Sequence, residues 1–61
     1  MTKERAMTIM RQHGICAIAL DNEGTIGLFD TCCNLYALIQ WDGEHIIEHG
    51  VKMTLPAWLG Y

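Results

Sequence analysis

Two apolar runs, residues 15–20 (ICAIAL) and 25–29 (TIGLF), stand either side of Asp21-Asn22-Glu23-Gly24. That spacing commits the middle of the chain to a β-hairpin. The linker suits a type I turn ending in a left-handed Gly24, the three-residue hairpin loop with a bulge. In that register Asp21 faces Thr25, Leu20 faces Ile26, Ala19 faces Gly27 and Ile18 faces Leu28. One face then carries Ile18, Leu20, Ile26 and Leu28, and the other carries the small residues Ala17, Ala19 and Gly27. Both faces are apolar, so the hairpin is expected at the centre of a sheet and covered on each side.

The flanks supply the rest of the sheet and its cover. Residues 2–13 (TKERAMTIMRQH) read as an amphipathic helix. Thr2 can cap it, Glu4 suits its first turn, and Arg11 and His13 suit its negative end. Ala6, Met7, Ile9, Met10 and His13 recur at three- and four-residue steps and form one apolar stripe. Gly14 stands where a left-handed C-cap is wanted. Residues 35–41 (LYALIQW) form a third strand, and Asp42-Gly43 is a two-residue hairpin signal. That turn pairs Trp41 with Glu44, Ile39 with Ile46, Leu38 with Ile47 and Tyr36 with His49. Residues 44–49 are read as a fourth strand bent at Gly50. A short helix capped by Asp42 competes, but so few residues between two glycines make a poor helix. Residues 51–54 offer a fifth strand before Pro56 ends regular pairing. The predicted class is α+β, one N-terminal helix followed by an antiparallel meander of four strands, or five if 51–54 pairs. All 61 residues belong to one small domain.

A domain of this size buries only about 60% of the surface its unfolded chain exposes. Yet 51% of its residues are hydrophobic, more than so small a core can take in. The excess lies on the hairpin and on the tail Ala57-Trp58-Leu59-Gly60-Tyr61. Self-association is therefore expected, through a sheet face left uncovered or through the aromatic tail. Trp58, Leu59, Tyr61 and Trp41 are the candidate anchors, since Trp and Tyr dominate binding hot spots.

The formal net charge is −3, and the few cations gather near the start of the chain. With no basic stripe to neutralise phosphates, direct nucleic-acid binding is not expected. The carboxylates of Asp21, Glu23, Asp30, Asp42, Glu44 and Glu48 fall in the strand-and-turn region, where they read most simply as solvated turn residues. Such a face could also attract a basic protein surface. No stretch approaches the ~18 apolar residues of a membrane span, and no secretory signal opens the chain. The three cysteines include the adjacent pair Cys32-Cys33, which the intervening peptide discourages from bridging. A cytoplasmic location is expected.

Motifs for chemistry are weak. His45-Ile46-Ile47-Glu48-His49 matches the H-x-x-E-H pattern of inverted zinc proteases. That chemistry needs a stable helix and a third ligand from another element. In a strand the two histidines stand about 13 Å apart and cannot share a metal. Cys16, Cys32, Cys33, His13, His45 and His49 are possible ligands, but no Cys-x-x-Cys spacing organises them. Neither Cys32 nor Cys33 has a base placed beside it by the sequence. No phosphate loop is present. No catalytic residue, metal or other cofactor is expected.

The reading that follows is a non-enzymatic interaction protein that binds and modulates or inhibits a macromolecular partner. Its partners would be itself, as a homodimer or higher oligomer, and another protein. Short acidic chains that open on a helix occur among phage and mobile-element accessory proteins, including host-defence inhibitors of the anti-CRISPR type. The alternative is an oligomeric small-ligand binder with pockets between subunits, to which Tyr36, His45, His49 and Trp41 would contribute.

Overall fold

A computed structural model describes residues 1–60 of the chain. Helix α1 (Lys3–Gln12) is followed by strands β1 (Cys16–Ala19), β2 (Thr25–Phe29), β3 (Leu35–Trp41), β4 (His45–Glu48) and β5 (Val51–Thr54), and then by a short helix α2 (Leu55–Leu59). The strands form one open antiparallel sheet in chain order, β1-β2-β3-β4-β5. The α+β meander is therefore present with its fifth strand, and residues 45–48 are strand.

Thr2 starts α1 by accepting the Arg5 N–H at 3.1 Å, and Gly14, at φ 82°, closes the turn after it. The helix lays Ala6, Met7 and Met10 on the sheet, where they join Ala17, Ile26, Leu28, Ile39, Trp41, Ile46 and Leu55 in one core. Met10, Ile26, Ile39 and Ile46 are its largest fully buried side chains. Each stabilises the fold by roughly 1.5–3 kcal/mol through burial alone.

The first hairpin departs from expectation by one residue. Ala17 pairs with Leu28, Ile18 with Gly27 and Ala19 with Ile26, and Leu20 N–H donates to the Thr25 carbonyl at 3.0 Å. The loop is thus the four residues Asp21–Gly24, and Gly24 is not left-handed. Asp21 explains this, because its carboxylate accepts the N–H groups of Glu23 (2.9 Å) and Thr25 (3.2 Å) and holds the longer loop. A one-residue slip turns every β1 side chain over relative to β2. Ala17 now joins Ile26 and Leu28 in the core, while Ile18 goes to the opposite face with Gly27. Nor is the hairpin central: β1 is an edge strand, and both helices pack on the same face of the sheet.

The second hairpin slips by two. Trp41 pairs with Ile46 and Gln40 with Ile47, so the loop residues are Gly43 and Glu44. The Asp42 carboxylate takes the N–H groups of Glu44 (2.8 Å) and His45 (2.6 Å) and sets this turn. An even slip leaves the faces unchanged, and Ile39, Trp41 and Ile46 stay in the core. β4 ends at Glu48, which pairs with Val51 across His49-Gly50. Both turn residues have positive φ, 52° and 77°, the requirement of a type I′ turn. His49 is thus a turn residue and does not pair with Tyr36.

Residues 55–59 are helical, where the sequence suggested only an apolar tail. Thr54 caps α2 by accepting the Ala57 N–H at 3.3 Å, Pro56 occupies the first turn, and left-handed Gly60 ends it.

Candidate functional site

With both helices on one face, the other face of β1–β3 is bare. Gly27 lies at its centre, and a Cβ there would stand 3.0 Å from Leu35 Cδ1 and Phe29 Cε1 and 3.1 Å from Leu20 Cδ1. Having no side chain, Gly27 lets these three fold across it. Leu38 pairs with Gly27, and Ile18 flanks it on β1. A bulge between Leu28 and Phe29 leaves Tyr36 as an extra residue on β3 and splays it outward. Ile18 (44%), Leu20 (47%), Leu35 (49%), Tyr36 (59%) and Leu38 (54%) are consequently exposed. The polar continuation of this face is Thr25 and Gln40, whose side chains share a 3.0 Å hydrogen bond. None of the five patch residues carries a charge.

Beside the patch, Leu35, Tyr36, Ala37, Leu38 and His49 line an open depression of about 470 Å³. Tyr36 and His49 are therefore brought together. His45 is not: it stands at the far end of β4, its Nδ1 3.6 Å from Asp42 Oδ2.

The other expected anchors lie on the helix-covered side. Trp41 is only 8% exposed, and its indole Nε1 donates to the Met1 carbonyl at 3.1 Å. Its place in the core leaves no free ring for a partner. Trp58 and Leu59 are half-buried against the core, and Trp58 Nε1 donates to Glu48 Oε1 at 3.2 Å. Tyr61 lies outside the described residues. The sequence places Ile18 and Leu20 on an apolar hairpin face but marks none of Ile18, Leu20, Leu35 and Leu38 as an anchor, and the signal that points to them is Gly27. A glycine inside an apolar strand marks a place where neighbouring side chains come close.

No family model, curated protein or solved structure matches this chain. The site must be read from its own chemistry.

That chemistry is apolar. Cys16, Cys32 and Cys33 are free and exposed, and among the described residues no three of His, Cys, Asp and Glu come together as a metal site. Among the described residues no helix is long and apolar enough to cross a membrane. The two perturbed carboxylates serve turns. The N–H groups of Glu44 and His45 hold Asp42 down at about 2, with His45 and Lys52 helping. The Thr25 hydroxyl, then the N–H groups of Glu23 and Thr25, and finally Lys3, lower Asp21. Both stay ionised and hydrated at the end of the sheet that carries the β1–β2 and β3–β4 loops.

Proposed function

We propose that this chain is a non-enzymatic interaction protein that binds and modulates or inhibits a macromolecular partner through the bare face of its sheet. One observation carries the reading: five large apolar side chains, each about half exposed, lie together on that face with no charge among them. Contiguous patches of this kind on small proteins mark binding sites, because leaving them in water is unfavourable. An accessory inhibitor of the phage or mobile-element type, cytoplasmic and acting on another protein, fits a chain so equipped.

Affinity capture from a host lysate, with the wild-type chain and Leu38→Glu as parallel baits, tests this. A protein retained by the first and lost by the second supports it. Identical captures by both baits, or none by either, from a chain that is also monomeric at every concentration would overturn it.

A small-ligand reading draws on the depression beside Tyr36 and His49. Its openness to solvent favours it only if a second subunit closes it, so it ranks second.

A further inference from the structure

We infer that the bare face of β1–β3 is where a second copy of this chain docks, sheet against sheet about a two-fold axis. The inference rests on the reading of that face as a binding surface and names its occupant.

Area is the first argument. Half of each of four aliphatic side chains and of one tyrosine comes to on the order of 400–500 Å² per copy. Two copies would cover close to the ~1,000 Å² total that separates specific interfaces from incidental ones. Phe29, Thr25 and Gln40, on the same face, make up the difference.

Shape is the second. A two-fold contact requires each feature of a surface to meet its own complement on the same surface. Here the most exposed side chain of the patch, Tyr36, stands beside an open depression of about 470 Å³. Prominence and hollow are neighbours, so two copies can exchange them. Elsewhere on the patch Leu20, Phe29 and Leu35 fold over Gly27.

Charge is the third. Each copy carries −3, which would oppose most ways of pressing two together. The patch itself holds no carboxylate. Asp21, Glu23 and Asp30 sit in the loops at its two ends and keep their water.

The outer edge of β1 offers a poorer route to pairing. Arg11 turns its guanidinium onto the Ala17 carbonyl, with Nη2 at 2.7 Å and Nε at 3.2 Å. An arriving strand would have to displace that bond. Face-to-face packing leaves it in place.

Sedimentation velocity on the full chain over a concentration series tests the proposal. The expected result is a monomer-to-dimer transition in the micromolar range, the weak end for interfaces of this size. Leu38→Glu and Ile18→Lys should each weaken it at least tenfold with an unchanged far-UV spectrum. If Leu38→Glu disturbs the fold, Leu38→Gln and Tyr36→Ser carry the same comparison. Cys16, exposed and on the same face, should also be alkylated more slowly as the dimer forms.

A monomer at every concentration overturns the proposal, as does a dimer indifferent to all four substitutions. If the chain is monomeric yet Leu38→Glu loses a captured protein, the face binds a different partner and only this inference falls. If it is monomeric and both baits capture alike, the broader reading falls with it.

Discussion

Replacing Gly24 by alanine should remove most of the stability of this domain, for a reason unrelated to backbone freedom. Gly24 is not left-handed, so alanine can adopt its φ. A Cβ at this position would, however, lie closer than 3.0 Å to the carbonyl oxygen of Trp41, with the carbonyl carbon at 3.3 Å and the nitrogen at 3.4 Å. All three are backbone atoms of β3 and cannot rotate aside as a side chain could. The strands must part, which costs about 1–3 kcal/mol as overpacking. Parting them also strains the 2.8 Å bond from Trp41 N–H to the Gly24 carbonyl, a contribution of about 1 kcal/mol. The sum, about 2–4 kcal/mol, compares with the ~3–5 kcal/mol that a core this small supplies. Thermal unfolding followed by circular dichroism at low concentration should show a drop on the order of 10–25 °C. Gly43→Ala is the control. It has φ 103° but nothing within 4 Å of its Cβ, so its cost is the conformational ~1–2 kcal/mol alone. Gly24→Asn should be as damaging as Gly24→Ala, whereas a left-handed glycine would accept Asn. If Gly24→Ala loses no more than Gly43→Ala, the steric reasoning is wrong.

Acid should weaken the fold through the turn carboxylates. Asp42 is lowered from 3.8 to about 2 and Asp21 is lowered as well, so their stabilisation is complete above about pH 4 and lost as pH falls toward 2. The urea midpoint should decline across that window, and less steeply in Asp42→Ala; an equal decline in both would assign the acid sensitivity elsewhere. His49→Asn should raise the melting temperature by a few degrees, since Asn tolerates the left-handed φ of 52° better than His. A fall would mean that the His49 ring contributes more than its backbone costs. Trp58→Phe keeps an aromatic ring but loses the indole N–H bond to Glu48, and should cost about 0.5–1.5 kcal/mol for that bond with sedimentation unchanged. Weakened dimerisation would return the tail to the interface.

The elements of this fold are legible in the sequence and the pairing between them is not. The stripe of Ala6, Met7 and Met10 announces α1, and the apolar runs around the Asp21–Gly24 and Asp42–Gly43 segments announce hairpins. What decides each register is an aspartate side chain reaching the N–H groups that follow it, a contact indifferent to hydrophobic pattern. At Asp42 the resulting slip is even and harmless to the prediction of faces. At Asp21 it is odd, and it separates Ile18 and Leu20 from Ile26 and Leu28 and leaves them on the bare face. The helix at residues 55–59 is hidden in the sequence for a related reason. Thr54 and Pro56 together start a helix, but five residues are too few for periodicity to declare one. Residue type offers the aromatic rings as anchors, and burial assigns Trp41 and Trp58 to the core side. Tyr36, lifted by a bulge, belongs to the bare face.

Strand order carries a consequence of its own. Because β1 through β5 lie side by side as they occur along the chain, every ladder joins neighbours separated by a single turn. No strand waits for a distant segment to return, so little loop entropy is lost before each new pair forms. Sheets of this connectivity have low contact order, and refolding should be complete in milliseconds where sandwiches with crossing connections take up to seconds. The same order lets the sheet grow strand by strand from one end as the chain is synthesised. Ile18 and Leu20 then arrive early and uncovered. The speed with which β3 follows sets how long that half-built surface stands open to misassembly.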